Sequence, residues 1–148
     1  MRVKDIMTRQ VVTLSPEESI EEAAKKLRDN RISGAPVVEG GRIAGIVSEA
    51  DLMKLFESEM SISLVLPSPL EIIELPVKMH RQLREAARRL SVRKVKDIMT
   101  REVITIDEDA SVEEAARKMA RHRINRLPVL REGKLVGIVT RGDVIKAL

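Results

Sequence analysis

The apolar positions of the chain recur in the same order and spacing in two segments, residues 3–56 and residues 95–148. Each residue of the first segment matches the residue 92 positions later in the second, and no gap is needed. The run Val-Lys-Asp-Ile-Met-Thr-Arg is identical at residues 3–9 and 95–101. A repeat unit of this size usually buries its apolar face against a neighbour. We therefore expect the two copies to pack about a pseudo-twofold axis, with any cleft at that axis present twice.

Within each copy, the pattern predicts a strand, a helix, two strands and a second helix. In the first copy the β-branched run Val11–Leu14 is typical of a strand, and a helix with regularly spaced apolar residues begins at Ser19. In the second copy, Ser111 with Glu114 three residues later predicts a capping box at the start of the helix. The predicted fold class is therefore α/β, with two βαββα units packed about the pseudo-twofold axis.

Two apolar runs flank a glycine-containing turn in each copy, at residues 39–41 and 131–133. Glycine supplies the positive φ that a tight hairpin turn requires, so each pair of runs is predicted to be a β-hairpin. The second run of each hairpin ends at a hydroxyl residue, Ser48 or Thr140, that can cap the final helix.

Residues 57–94 belong to neither copy, and we divide the chain into repeat 1 (residues 1–56), an insert (57–94) and repeat 2 (95–148). Several prolines punctuate the insert, and Val77–Leu90 has the spacing of an amphipathic helix. The apolar stretches Ser61–Leu66 and Ile72–Leu75 are expected to be buried. The segment between Val77 and Lys94 is also strongly basic, with seven Lys and Arg residues opposed by Glu85 alone.

Composition narrows the possible chemistry. The chain is 43% hydrophobic and 34% charged, which is typical of a folded globular protein, and only 1% aromatic. The absence of cysteine excludes disulfides, thiolate metal sites and a cysteine nucleophile, and two histidines are too few for a zinc or iron centre. No apolar run reaches the roughly 18 residues of a membrane span, and no signal peptide is evident. We expect a cytoplasmic protein with no metal and no membrane association.

The candidate chemistry lies in the motif Gly-Ile-Val-[Ser/Thr]-x-x-Asp, found at residues 45–51 and 137–143. A glycine lets the backbone come close to a ligand, while a hydroxyl and free N–H groups at a helix start suit a phosphate. A carboxylate, here Asp51 or Asp143, accepts hydrogen bonds from both hydroxyls of a ribose. Together these groups suggest a nucleotide site. The alternative is that Ser48 and Thr140 serve only as helix caps and the aspartates only complement the helix dipole.

The segments 5–8, 31–38 and 45–51, together with their second copies, resemble cystathionine β-synthase (CBS) domains arranged as a tandem pair, or Bateman module. The resemblance covers both repeats and leaves out the insert, which is longer than the connection in most such pairs. It implies a regulatory, non-catalytic module whose clefts bind an adenosine-containing ligand: AMP, ADP, ATP or S-adenosylmethionine. It also suggests a homodimer that signals to an unidentified protein target in trans.

Carried over by position, the resemblance implies two clefts, each built from both copies. In cleft A, Asp143 would hold the ribose, and His122 with Arg123 could reach phosphates. Cleft B would use Asp51 and Arg31 in these roles. Because Asn30 stands where His122 does, the clefts should differ in charge, and cleft A is expected to be the tighter phosphate site. The further residues expected are Thr8, Val11, Ile32, Ser33, Ile138 and Thr140 in cleft A, and Thr100, Val103, Ile124, Asn125, Ile46 and Ser48 in cleft B.

In cleft A, apolar Ile32 and Ile138 would sandwich the adenine ring, and the backbone around Val11 and Ser33 would read its edge. His122 has an alternative role as a helix-end residue that interacts with the dipole.

Three other functions are alternatives to a regulatory ligand-binding module. An enzyme lacks support, since no activated nucleophile, phosphate-binding glycine loop or metal cluster is evident. A nucleic-acid binder could use the basic residues of 77–94, although the chain has no aromatic platform for bases. A purely structural dimerisation module with non-functional clefts is the remaining alternative.

Overall fold

The computed structural model of the chain describes residues 1–60, 84–85, 88–89 and 92–148, and of residues 56, 59 and 60 it describes the backbone only. The first copy contains α1 (Ile20–Asp29), β1 (Gly34–Glu39), β2 (Arg42–Ser48) and most of α2 (Glu49–Met60), whose last four residues lie in the insert. The second contains β3 (Ile106–Asp107), α3 (Val112–His122), β4 (Arg126–Arg131), β5 (Lys134–Thr140) and α4 (Arg141–Ala147). A short 3-10 helix opens each copy, at Val3–Asp5 and Val95–Asp97. The predicted α/β class is confirmed.

The predicted first strand is the element that differs most from the structure. In the second copy it is reduced to β3, which runs parallel to β4. In the first copy, only Leu14 of the predicted strand Val11–Leu14 forms a bridge, a parallel one to Val37. The prediction was wrong for residues 11–13, which form no bridge to β1. Val11 and Val12 line a cleft.

Each helix begins where the sequence places its cap. Ser19 accepts a hydrogen bond from the backbone N–H of Glu22 at 3.1 Å, and the Glu22 side chain accepts one from the N–H of Ser19, completing a capping box. At Ser111 only the first half of the predicted box forms, from the Glu114 N–H to the serine hydroxyl. Ser111 also forms an antiparallel bridge to Arg2.

Both predicted hairpins form, with β1 antiparallel to β2 and β4 antiparallel to β5. The turns have positive φ at two successive residues, Gly40 and Gly41 in the first (59° and 79°) and Glu132 and Gly133 in the second (52° and 81°). This backbone conformation matches the twist of the flanking strands.

Among the described residues, the core consists of two main clusters, and each contains residues from both copies. Val3 and Met7 pack with the core of the second copy, while Val95 and Met99 pack with that of the first. Both valines are fully buried. The opening segment of each copy thus completes the core of the other, so the packing units do not coincide with the sequence repeats.

Hydrogen bonds and ion pairs fix these exchanged segments. The Val3 N–H donates to the Ala110 carbonyl at 2.8 Å, and the Val95 N–H donates to that of Glu18 at 2.9 Å. On the surface, Lys4 pairs with Asp109 at 3.0 Å. At the equivalent position of the other copy, Glu17 pairs with Lys94 at 2.6 Å and with Lys96 at 3.0 Å.

Most of the insert lies outside the described residues. The predicted helix Val77–Leu90 is described only at residues 84–85 and 88–89, which are helical and exposed. The stretches predicted to be buried, Ser61–Leu66 and Ile72–Leu75, also lie outside.

Candidate functional site

Two clefts lie where the copies meet, and both combine residues of the two repeats. Cleft A has a volume of about 360 Å³ and cleft B of about 550 Å³. The lining of cleft A consists of Thr8, Gln10, Val11, Val12, Arg31, Ile32, Ser33, Gly34, Pro36, Arg126, Ile138 and Thr140. The lining of cleft B consists of Ser33, Ile46, Ser48, Glu49, Ala50, Asp51, Thr100, Glu102, Val103, Ile104, Arg123, Ile124, Asn125 and Arg126.

The structure brings together most of the residues expected in each cleft. In cleft A, all but Asp143, His122 and Arg123 form the lining. In cleft B, all but Arg31 form it, including Asp51. The two arginines are exchanged relative to the expectation, since Arg31 lines cleft A and Arg123 lines cleft B. Each arginine directly precedes the isoleucine of its own cleft, so the short loop carries both to the same side.

His122 lies outside both linings. It is the last residue of α3 and is exposed. Its position is that of a helix-end residue, where a cation complements the helix dipole.

The exchanged opening segments form part of each cleft wall. In cleft A, the backbones of Thr8 and Ile138 exchange two hydrogen bonds of 2.9 Å. In cleft B, Thr100 and Ile46 do the same with identical distances. These bridges hold an isoleucine of one copy against a threonine of the other.

The chain next to each bridge has open hydrogen-bonding groups. Within the described residues, the backbone N–H and C=O of Val11 have no hydrogen-bond partner, and the same holds for Val103. Both valines line their clefts and are partly buried. Unpaired backbone groups in such a place are normally satisfied by water or by a ligand. They can therefore read the polar edge of a base.

The residues at the two helix starts have a capping role. The Thr140 N–H donates to Oδ2 of Asp143 at 2.9 Å, and the Asp143 N–H donates to Oγ1 of Thr140 at 3.2 Å. Ser48 and Asp51 repeat the pattern at 2.9 and 3.4 Å. Within the described residues these bonds use only Oδ2 of each aspartate, which leaves Oδ1 open to another donor.

The predicted phosphate site at the helix start is largely occupied by the protein itself. The first N–H of α2, that of Glu49, donates to the Ser33 carbonyl at 2.8 Å, and the equivalent N–H of Arg141 donates to Asn125 at 2.8 Å. With the capping bonds, two of the first three N–H groups of each helix are engaged. The helix starts therefore offer an anion fewer N–H groups than predicted, and the arginines that line each cleft are the available side-chain cations.

The motif glycines do not serve the predicted role of admitting a ligand. A Cβ at Gly137 would lie 2.9 Å from the carbonyl oxygen of Thr8 and 2.6 Å from Sδ of Met7. A Cβ at Gly45 would lie 2.8 Å from both the Thr100 carbonyl oxygen and the Met99 sulfur. Their small size instead lets the exchanged opening segment approach the strand.

Arg126 was not among the cleft residues predicted from the sequence. It lines both clefts, its guanidinium donates to the hydroxyl of Ser33, and it fills the space above Gly34. Burial lowers the pKa of Arg126, and the Glu49 carboxylate raises it in part. One sequence signal could have identified Arg126: the two copies differ at this position, where Gly34 of the first copy matches Arg126 of the second.

Sequence reasoning also missed Glu49 and Glu102 in cleft B and Gln10 in cleft A. No group of three or more potential metal-ligating side chains occurs among the described residues. In the same part of the chain, no helix has the length and apolar character to cross a membrane.

The interleaved copies and paired clefts define a tandem CBS pair. The CBS domain model matches residues 3–58 and 95–148, and the chain belongs to this family.

Three similar proteins illustrate the relationship. An uncharacterized protein of Methanocaldococcus jannaschii, MJ1426, is 42% identical over 154 residues, which cover 100% of this chain and 91% of that protein. The Arabidopsis thaliana protein CBSX2, solved in complex with AMP, has a TM-score of 0.72 and 27% identity, covering 99% of this chain and 94% of that one. The CBS domain pair of MJ0100, solved with 5′-methylthioadenosine and S-adenosylmethionine, has a TM-score of 0.69, 29% identity and coverage of 99% and 94%.

Proposed function

We propose that this chain is a non-catalytic regulatory module that binds adenosine-containing ligands in clefts A and B. The observation that supports it best is that matched residues of the two copies line both clefts. In each cleft, a valine with an unpaired backbone lies with isoleucines contributed by both copies. An apolar slot beside unpaired donors and acceptors suits a purine, which has two apolar faces and a polar edge.

The isoleucine pairs would hold the adenine ring, Ile32 with Ile138 in cleft A and Ile124 with Ile46 in cleft B. The ribose hydroxyls would donate to the open Oδ1 of Asp143 or Asp51. Support is stronger for Asp51, which lines its cleft, than for Asp143, which is not part of the lining of cleft A.

The phosphate contacts we propose differ from the sequence expectation. Arg31 and Arg126 both line cleft A and can form charge-assisted hydrogen bonds to a 5′-phosphate. Cleft A is thus the proposed site for AMP, ADP or ATP. The complexes of CBSX2 with AMP and of MJ0100 with adenosyl thioether and sulfonium compounds support adenosyl ligands as a class.

A ligand that touches both copies can change their relative arrangement, and only to the extent that it binds one arrangement more tightly. We propose that this change is passed to a protein partner in trans. That partner stays unidentified, and we separately propose that the chain forms a homodimer. Met53 in α2 and Ile145 in α4 occupy matched positions and are 58% and 60% exposed.

The test of ligand binding is thermal unfolding of the full chain with AMP, ATP or S-adenosylmethionine, with GMP as the control for adenine recognition. A ligand at 100 times its dissociation constant adds about 2.7 kcal/mol to the free energy of unfolding. We expect a rise in Tm of several degrees with at least one adenosyl ligand and none with GMP. The absence of a rise with every adenosyl ligand would refute the proposal.

The test of self-association is light scattering after size exclusion. We expect the native chain to elute as a dimer and the Met53→Lys/Ile145→Lys variant as a monomer. A native monomer at all concentrations would contradict the proposed homodimer.

A further inference from the structure

The two clefts contain opposite balances of charge. Cleft B is lined by three carboxylates, against the guanidinium groups of Arg123 and Arg126. Cleft A is lined by Arg31 and Arg126, and the described part of the chain contributes no carboxylate to its lining. The three carboxylates of cleft B are Glu49, Asp51 and Glu102.

This difference comes from substitutions at matched positions and not from a different backbone. The residue matched to Glu102 is Gln10, which occupies the same place in cleft A without a charge. The residue matched to Glu49 is Arg141, which carries the opposite charge and lies outside the lining of cleft A. Both changes make cleft B the more acidic of the two.

The shared Arg126 does not offset this difference. Its guanidinium donates to Ser33, the other residue that lines both clefts. Glu49 lies near enough for its charge to raise the pKa of the arginine against the effect of burial. On the cleft B side the Glu49 carboxylate therefore offsets part of the charge of the arginine, whereas the described lining of cleft A adds Arg31 and no carboxylate.

A 5′-phosphate placed in cleft B would meet three carboxylates against two guanidinium groups, so the net charge of the lining would repel it. A cation in the same place would be attracted. Adenosyl compounds that carry a cation instead of a phosphate at the 5′ position are sulfonium compounds, with S-adenosylmethionine as the available probe.

We infer that cleft B selects an adenosyl ligand with a cationic 5′-sulfonium group, while cleft A selects one with a 5′-phosphate. This inference rests on the proposed function, because it assigns a ligand class to each of the proposed adenosyl sites. One chain would then respond both to an adenosyl ligand with a 5′-phosphate and to one with a cationic sulfonium group.

The experiment is isothermal titration of the full chain with three probes that share adenosine and differ in charge: AMP, uncharged 5′-methylthioadenosine and S-adenosylmethionine. The test variant is Glu49→Gln/Glu102→Gln. The matched control is Glu39→Gln/Glu132→Gln, which removes the same charge from exposed hairpin residues outside both linings. The reciprocal variant is Gln10→Glu.

For the native chain and the control variant, we expect one AMP and one S-adenosylmethionine per chain, bound without competition. In the test variant, S-adenosylmethionine should bind at least tenfold more weakly. AMP should reach two per chain, and 5′-methylthioadenosine should change less than threefold. Gln10→Glu should weaken AMP binding at least tenfold.

Two equal AMP sites in the native chain, left unchanged in the test variant, would overturn the inference and leave the proposed function intact. Equal effects of the test and control variants would also overturn it, since the charge would then act at long range. Binding of none of the three probes would remove both the inference and the proposed function.

Discussion

Clefts A and B have the same scaffold and different charges. The threonine–isoleucine bridges, the valines with unpaired backbones and the capping aspartates occupy matched positions with nearly identical distances. The charged residues at the cleft walls differ, as Gln10 against Glu102 and Gly34 against Arg126 show. The residues that keep the backbone in place are thus shared, and the residues that face a ligand give each cleft its own chemistry.

The largest expected effect is a loss of ligand affinity that differs between variants of Asp51 and Asp143. Asp51→Ala should weaken ligand binding in cleft B by about 10- to 150-fold, because hydrogen bonds to a charged group contribute about 1.5–3 kcal/mol. Asp143→Ala should weaken binding in cleft A by less, since Asp143 does not line it. Titration of each variant with S-adenosylmethionine and AMP measures both affinities.

The control is Asp51→Asn, which keeps an oxygen for the capping bond and lacks the charge. It should keep the native Tm while losing part of the affinity. Equal losses for Asp51→Ala and Asp143→Ala would show that the two aspartates are equivalent.

A second prediction concerns the close approach of the exchanged segments. Gly137→Ala and Gly45→Ala should each lower the free energy of unfolding by about 1–3 kcal/mol, because the added Cβ meets backbone oxygen. Each should also disturb only the cleft that contains its own bridge. Chemical denaturation measures the first effect, and titration measures the second.

Gly142→Ala is the matched control, since its Cβ would meet only the Thr140 hydroxyl at an ordinary 3.6 Å. Alanine is the better helix former by roughly 0.5–1 kcal/mol, so this variant should be slightly more stable than the native chain. Stability losses at Gly45 and Gly137 no greater than at Gly142 would contradict the account.

The fold was largely predictable because its signals are local. Apolar spacing, a serine at the helix start and glycines at the turn act over a few residues, and α1 and both hairpins follow them. The strand predicted at Val11–Leu14 was wrong for its first three residues. A β-branched run indicates an extended chain but does not show whether that chain pairs with another strand.

The site was predictable only in part because its residues meet across the pseudo-twofold axis. The resemblance placed Thr8 with Ile138, and the structure brings them together. The sequence could not show which cleft Arg31 or Arg123 faces, since that depends on the direction of a loop. It also could not show that Arg126 crosses to Gly34, since the distance between them along the chain is 92 residues.

A third prediction tests the shared arginine. Arg126→Gly makes the second copy match the first and should weaken AMP binding in cleft A about tenfold, or about 1.4 kcal/mol. Binding of S-adenosylmethionine in cleft B should stay within threefold, since Arg126 is already opposed there by Glu49. Arg126→Lys keeps the charge and should retain most of the AMP affinity. An equal loss in both clefts would show that the arginine does not distinguish them.

The smallest effect concerns the ion pairs that fix the exchanged segments. Hydrogen bonds and charge from Lys94 and Lys96 lower the pKa of Glu17 below its ordinary 4.5, and Lys4 lowers that of Asp109 below 3.8. A lowered folded-state pKa means that the stabilisation is present above the ordinary value and is lost as the pH falls through the folded value.

Native stability should therefore decline slightly more steeply below about pH 4.5 than that of Glu17→Gln, with no difference in slope near neutral pH. Because these groups are fully exposed, high salt should reduce the difference. Tm measured against pH at two salt concentrations checks it. A difference in slope confined to neutral pH would contradict the assignment.

The most direct test of two chemically distinct clefts is a crystal structure of the full chain grown with equal, saturating AMP and S-adenosylmethionine. The account predicts AMP beside Arg31 in cleft A and S-adenosylmethionine beside Glu49 and Glu102 in cleft B. The same ligand in both clefts, or the reverse arrangement, would contradict it.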